Sequence, residues 1–207
     1  MNHRFQHERP ALLLVLATLG LMGCLSLAAG TMIAPWFVPD YDWVSDTISD
    51  LAAGSDEILM DVALYGFAAG LLAVSIAAAH AHLGKTGWSI GTMSFAVLSV
   101  VVVIVAARNE YGDGDQGGIV IHSYLVYGLG ALFLGGPLSM TAGLRSAHPG
   151  ARRIIIGLAI VWALTAPLFF FMPTGIDGIY ERGLGVVACG IVLTLSYVFY
   201  ARARDIA

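Results

Sequence analysis

Charge is what this sequence has least of. Only 12% of its 207 residues are Asp, Glu, Lys or Arg, 58% are hydrophobic, and the mean hydropathy is +0.81. Soluble domains carry about a quarter charged residues. The shortage excludes an ordinary soluble domain and implies a single polytopic, all-α membrane domain. Cysteine is scarce as well. Cys24 and Cys189 both lie inside apolar runs, which reads as core packing rather than a disulfide or a metal pair. No basic tract offers a nucleic-acid surface, and no soluble partner is evident. Phosphate-loop, dinucleotide, Cys-x-x-Cys, His-Glu-x-x-His and Gly-x-Ser-x-Gly signatures are missing. Apart from His122, no titratable residue sits well inside an apolar run. That counts against a proton relay or an ion path and leaves a transporter as the third choice.

Six long apolar runs are present, at about 11–34, 58–82, 88–107, 119–143, 154–172 and 181–201. Each is long enough to cross a hydrocarbon core of about 30 Å. Short tails, 1–10 and 202–207, flank them, and residues 35–57 form the widest polar gap. Leu21-Met-Gly-Cys24 has the outline of a lipoprotein signal, but the next residues stay apolar where a polar tether would follow, so an uncleaved first span is expected. Pro167 predicts a kink in the fifth span, satisfied by neighbouring helices. Gly66 and Gly70 have the small-xxx-small spacing of a close helix contact. Tyr65-Gly66 and Tyr127-Gly128 form a faint echo of a duplicated helical hairpin.

Six spans place both termini on one side. That side carries Arg4, Arg9, Lys85, Arg145, Arg152, Arg153, Arg202 and Arg204, eight of the ten basic residues. The positive-inside rule assigns it to the cytoplasm of a plasma-membrane protein. Twelve of the fourteen acidic residues sort to the other, outer side. Solvated loops would explain that, and so would a polar site at the outer surface.

The most polar stretch is Asp40-Tyr-Asp-Trp-Val-Ser-Asp-Thr-Ile-Ser-Asp-Leu-Ala-Ala-Gly54. Val44, Ile48 and Leu51 recur at i, i+4, i+7, which predicts a short amphipathic helix on the outer surface, carboxylates up, capped by Asp40 or Asp42 and ended by Gly54. Ser45, Asp46, Ser49 and Asp50 fall on its polar sides. Two further outer elements carry ionisable groups near the membrane boundary. One is Asp113 and Asp115 followed by His122, in the first turn of the fourth span. The other is Glu181-Arg182, opening the sixth span. His122 has the chemistry of a general base, a metal ligand or a carboxylate partner, and equally of an interfacial cap. Glu181 suits a helix N-terminus whatever the function. Arg182 suits an anion clamp, or a pin joining Asp46 or Asp50 to the bundle. His80 and His82, at i, i+2, face different sides of a helix and read as interfacial.

The Ser-Asp-x-Ile-Ser-Asp-Leu stretch, the acidic loop before a histidine-bearing fourth span, and Gly-Ile-Tyr-Glu-Arg before the sixth span together resemble the bacterial and archaeal membrane family catalogued as domain of unknown function 998. The resemblance covers residues 11–200. It implies that Ser45, Asp46, Ser49, Asp50, His122, Glu181 and Arg182 are the family's recurrent polar positions. Asn109-Glu-Tyr-Gly112 departs from the family pattern, so the aspartate register stays open between Asp113 and Asp115. The layout is also similar, at the level of fold, to eukaryotic six-span proteins of lipid-anchor remodelling and autophagy, and to membrane hydrolases with a zinc site of Asp, His and Ser.

Two functions follow as expectations. In the first, the protein is an enzyme acting on a lipid or lipid headgroup. His122, Asp113, Asp115 and Glu181 are its catalytic candidates. Arg182, Ser45, Asp46, Ser49 and Asp50 hold substrate, and His122, Asp46 and Asp50 hold a divalent metal such as zinc. In the second, a non-catalytic scaffold or a lipid- or small-molecule-binding protein uses the same residues as a structural salt-bridge network. Membrane lipids are the expected partners in both.

Overall fold

The computed structural model describes residues 8–52, 57–107 and 121–207. Asp113 and Asp115 lie outside these, as does Gly54. Among the described residues there is no strand. Seven α-helices follow in order: α1 (Pro10–Ile33), α2 (Ile48–Leu51), α3 (Ile58–Ala81), α4 (Thr86–Ala106), α5 (Ile121–Ala147), α6 (Pro149–Thr165) and α7 (Asp177–Ile206). All but α2 belong to segments long and apolar enough to cross a membrane. In that solvent every backbone polar group must be satisfied internally, which is why the apolar runs become helices.

The span boundaries differ from the hydropathy runs at their polar ends. The sixth span begins at Asp177 and runs through the expected tail to Ile206. The fifth starts at Pro149, an N1 proline whose missing N–H costs nothing there. Pro167 does not kink an α-helix. The chain changes to a 3₁₀ segment, Ala166–Phe171, and the Tyr180 hydroxyl of α7 donates to the Thr165 carbonyl at 2.8 Å. The expected outer helix is a single turn, α2, and residues 40–46 form turns. Neither Asp40 nor Asp42 caps it. Thr47 does.

The six spans form a ring in chain order, closed by α7 against α1, with α3 also touching α7. Packing is tightest where α1 meets α3. A Cβ on Gly23 would lie 2.8 Å from the Gly70 Cα and 3.0 Å from the Gly66 carbonyl. Without a hydrophobic drive between helices in lipid, such backbone approach is what joins them. The Tyr-Gly echo does not extend to packing: Gly66 faces Ser26 of α1, whereas a Cβ on Gly128 would meet nothing within 4 Å. Cys24 and Cys189 are free thiols, and the Cys24 thiol approaches the Cys189 carbonyl at 3.8 Å.

The end of the bundle holding the interhelical links 82–85 and 148 is the basic end; the opposite one is the acidic end. At the basic end Glu8 takes Arg202 in two hydrogen bonds of 2.5 and 2.6 Å, tying the start of α1 to the end of α7. His80 accepts the Arg9 backbone N–H at 2.8 Å, an interfacial role. Gly23→Val should cost about 1–3 kcal/mol by forcing α1 off α3, and lower the apparent Tm. Gly128→Ala should instead gain up to about 1 kcal/mol from helix propensity. Thermal unfolding of the two purified variants, read by circular dichroism, checks the pair; equal shifts would contradict this account of the packing.

Candidate functional site

At the acidic end, residues 40–52 fold back over the bundle. The segment is knitted by its own carboxylates. Asp42 Oδ1 accepts the Val44 N–H at 2.9 Å, and Asp46 Oδ2 accepts the Asp42 N–H at 2.8 Å. Ser45 donates to Asp46 Oδ1 at 3.1 Å. Thr47 and Asp50 form a reciprocal capping box: Asp50 Oδ2 accepts the Thr47 N–H at 2.7 Å, and Thr47 Oγ1 accepts the Asp50 N–H at 3.0 Å. Ile48 and Leu51 are buried beneath this turn, whereas Val44, expected on the same face, is exposed.

Arg182 fastens the segment to α7. It is buried at 7% exposure, and its Nη1 donates to the carbonyls of Asp46 and Gly178, both at 2.9 Å. Nη2 donates to the Tyr41 hydroxyl. The guanidinium lies 4.6 Å from the Trp43 ring centroid and 5.6 Å from that of Tyr41. Arg182 therefore pins the loop, but through backbone carbonyls and aromatic faces rather than through the carboxylates of Asp46 or Asp50. Gly178 allows the approach, since a Cβ there would sit 2.2 Å from the Asp46 carbonyl oxygen. The Ile179 N–H, in the first turn of α7, donates to the Val44 carbonyl at 3.0 Å. Tyr41 and Trp43 were not among the expected site residues; an arginine and two nearby aromatics on the same side of the membrane were the available signal.

Glu181, one residue before Arg182, turns about 100° away. It lies in the second turn of α7, with Asp177 in the first. Its carboxylate serves another helix instead: Oε2 accepts the Ile48 N–H at 2.5 Å, an orphan donor at the start of α2. His122, in the first turn of α5, is 8% exposed, and its Nε2 stands 3.4 Å from Ser49 Oγ. Ser49, His122 and Glu181 line one cavity of about 620 Å³. The rest of its wall is almost wholly apolar and comes from every spanning helix, with Phe67, Phe133 and Trp162 in its depth and Tyr127, Phe170 and Phe171 at its lipid-facing edge.

The expected residues thus divide. Ser49, His122 and Glu181 share a cavity. Ser45, Asp46, Asp50 and Arg182 build the loop above it and do not line it. Among the described residues no group of three or more His, Cys, Asp or Glu could hold a metal ion. His122, Asp46 and Asp50 do not form such a group; within the loop Asp46 accepts the Asp42 N–H and the Ser45 hydroxyl, and Asp50 accepts the Thr47 N–H.

Six apolar spans around an internal cavity with a small polar cap make this a multi-pass integral membrane protein. The family model described as "Protein of unknown function (DUF998)" matches residues 21–198, and the chain belongs to that family. No curated protein and no solved structure matches it.

Burial pushes the Tyr41 hydroxyl from its ordinary value of 10.0 up to about 12, although the Arg182 guanidinium pulls the other way. Tyr41 lies within 2.8 Å of the Asp46 and Thr47 carbonyls, and an ionised phenol can donate to neither. A raised folded pKa gives stability that is complete below the ordinary pKa and is lost as pH rises through the folded one. Apparent Tm should therefore fall between about pH 10 and 12, and Tyr41→Phe should flatten that fall. Arg182→Lys should lower Tm by about 4–8 °C, since one ammonium cannot replace the fork and the stacking. A lysine variant as stable as the wild type would contradict the pinning role.

Proposed function

We propose that this protein is a lipid-modifying membrane enzyme whose polar cap works on the headgroup region of an amphiphile held in the bundle. The observation that carries the reading is the meeting of Ser49, His122 and Glu181 at the polar end of a cavity of about 620 Å³, a volume typical of small-molecule sites. His122 Nε2 is within reach of Ser49 Oγ at 3.4 Å, a spacing that tightens readily when substrate binds. In hydrolysis or acyl transfer, His122 takes the proton from Ser49 or a water as that oxygen attacks a carbonyl carbon. It then returns the proton to the leaving group. Glu181 holds α2, and with it Ser49, in register. The charge asymmetry supports an orientation with both termini cytoplasmic and the cap at the outer face of the plasma membrane.

A non-catalytic lipid binder is the second reading, and the structural duties of Asp46, Asp50 and Arg182 favour it for those residues. The two separate on reconstituted protein supplied with ester- and amide-linked acyl lipids, with products followed by mass spectrometry. His122→Ala and Ser49→Ala should lower turnover by about 10²-fold or more while Tm moves little. Absence of turnover by a folded wild type, or turnover unchanged in both variants, would leave the binder. Elemental mass spectrometry of wild type beside His122→Ala tests for a divalent metal such as zinc: a stoichiometric metal lost in the variant would mean that His122 ligates an ion together with residues outside those described.

A further inference from the structure

The cavity ends halfway through the bundle. Counted from the acidic end, its lining stops on the six spans at Leu27, Phe67, Val102, Leu134, Trp162 and Ala188. One turn further on the same helix faces, Leu71, Leu98 and Ile191 are fully buried and lie outside the wall. The interior of the basic half is filled. A Cβ on Gly91 would sit 2.2 Å from the Met140 Cγ, and Trp88 meets Phe199 edge-on with ring centroids 6.4 Å apart. The lined part of α5, from His122 to Leu134, is about 18 Å long at about 1.5 Å per residue, close to half of a hydrocarbon core about 30 Å thick. The cavity is therefore a blind pocket about one leaflet deep, with its polar residues at the acidic end.

Three aromatic rings floor it. Phe67 and Phe133 stack with centroids 6.4 Å apart, and Phe133 meets Trp162 at 5.2 Å. The Trp162 indole N–H donates to the Gly130 carbonyl at 2.9 Å, which fixes that ring against α5. All three side chains are buried. Above them the wall keeps its space: Gly130 and Gly185 line the cavity one turn before the floor, and a Cβ on either would meet nothing within 4 Å.

A hydrocarbon chain gains little by leaving lipid for this pocket, since lipid tails are as apolar as its wall. What changes with chain length is fit. A chain that falls short leaves a gap above the floor and forfeits dispersion contacts. A chain that is too long must displace close-packed rings or fold back on itself. Resting on the reading above that the cavity holds an amphiphile with its head at Ser49 and His122, we infer that the protein selects this amphiphile by chain length, with Phe67, Phe133 and Trp162 as the stop. The preferred chain spans one leaflet, about 15 Å. Phe133, in contact with both other rings, determines the length.

The test uses full-length protein in phosphatidylcholine vesicles and a monoalkylglycerol, whose ether link resists hydrolysis, with a photoreactive diazirine at the end of its chain. Unlabelled saturated monoalkylglycerols of graded length compete with it. Displacement should be strongest for chains that span about 15 Å and about tenfold weaker for chains about half as long again. A label on a chain of the best length should map to Phe67, Phe133 or Trp162. Phe133→Ala lowers the floor and should move the optimum to longer chains. Gly185→Leu takes up room above the floor and should move it to shorter ones. Gly183→Leu, exposed and outside the cavity wall, is the control for helix and folding effects and should keep the wild-type profile. A displacement profile without an optimum, or a label mapped to Trp88 or Phe199 in the basic half, would overturn the stop while leaving an amphiphile site in place. So would an unchanged optimum in folded Phe133→Ala. If that variant does not fold, an optimum that Gly185→Leu fails to shorten overturns the stop instead. No specific labelling of folded wild type would overturn the inference together with the reading it rests on.

Discussion

The acidic end of this bundle depends on one buried cation. Arg182 brings a guanidinium into a place where an unpaired charge would be costly, and it is tolerated because two carbonyls, a phenol oxygen and an indole face surround it. Each of those partners belongs to residues 41–46 or to α7 itself. Satisfying the charge and closing the loop are therefore one event. Once closed, the loop delivers Thr47 to cap α2, and α2 delivers Ser49 to the cavity and the Ile48 N–H to Glu181. The geometry of the cap is thus set by contacts on the far side of α7.

The ring of spans is correspondingly uneven. α1 and α3 approach backbone to backbone at Gly23, Gly66 and Gly70, leaving no room there for a Cβ on Gly23. Glycines on the opposite arc do the reverse. Gly130 and Gly185 leave space that no neighbour occupies. The same residue type thus closes one half of the bundle and hollows out the other, and only the facing element decides which. An interior that were uniformly close-packed would leave Ser49, His122 and Glu181 as buried polar groups over nothing.

The six spans were legible because long apolar runs in this composition have no alternative structure. Their ends were less so. Hydropathy does not register that an amphipathic turn such as Asp177–Tyr180 continues the helix, or that Pro149 can begin one. The outer loop misled for a related reason: Val44, Ile48 and Leu51 do keep helical spacing, but Asp42 and Asp46 offer their own backbone better local bonds than a helix would, and the chain turns instead. The polar positions Ser49, His122 and Glu181 could be named from the sequence. What could not be read was that Asp46 spends both carboxylate oxygens locally, since a carboxylate serving its own loop looks in sequence like one awaiting a ligand.

Glu181 and Arg182 show how far one residue of register can carry. Neighbours on a helix project about 100° apart, so a single turn of α7 faces the loop with its cation and the cavity with its carboxylate. The two side chains serve different elements: Arg182 bonds to residues 41–46, and Glu181 accepts the Ile48 N–H of α2. Moving the pair by one position would turn the cation into the cavity and leave the loop without its pin. The face of α7 that lines the cavity is therefore fixed by the loop's need for an arginine on the other side. One dipeptide thus serves the loop on one side of the helix and the cavity wall on the other.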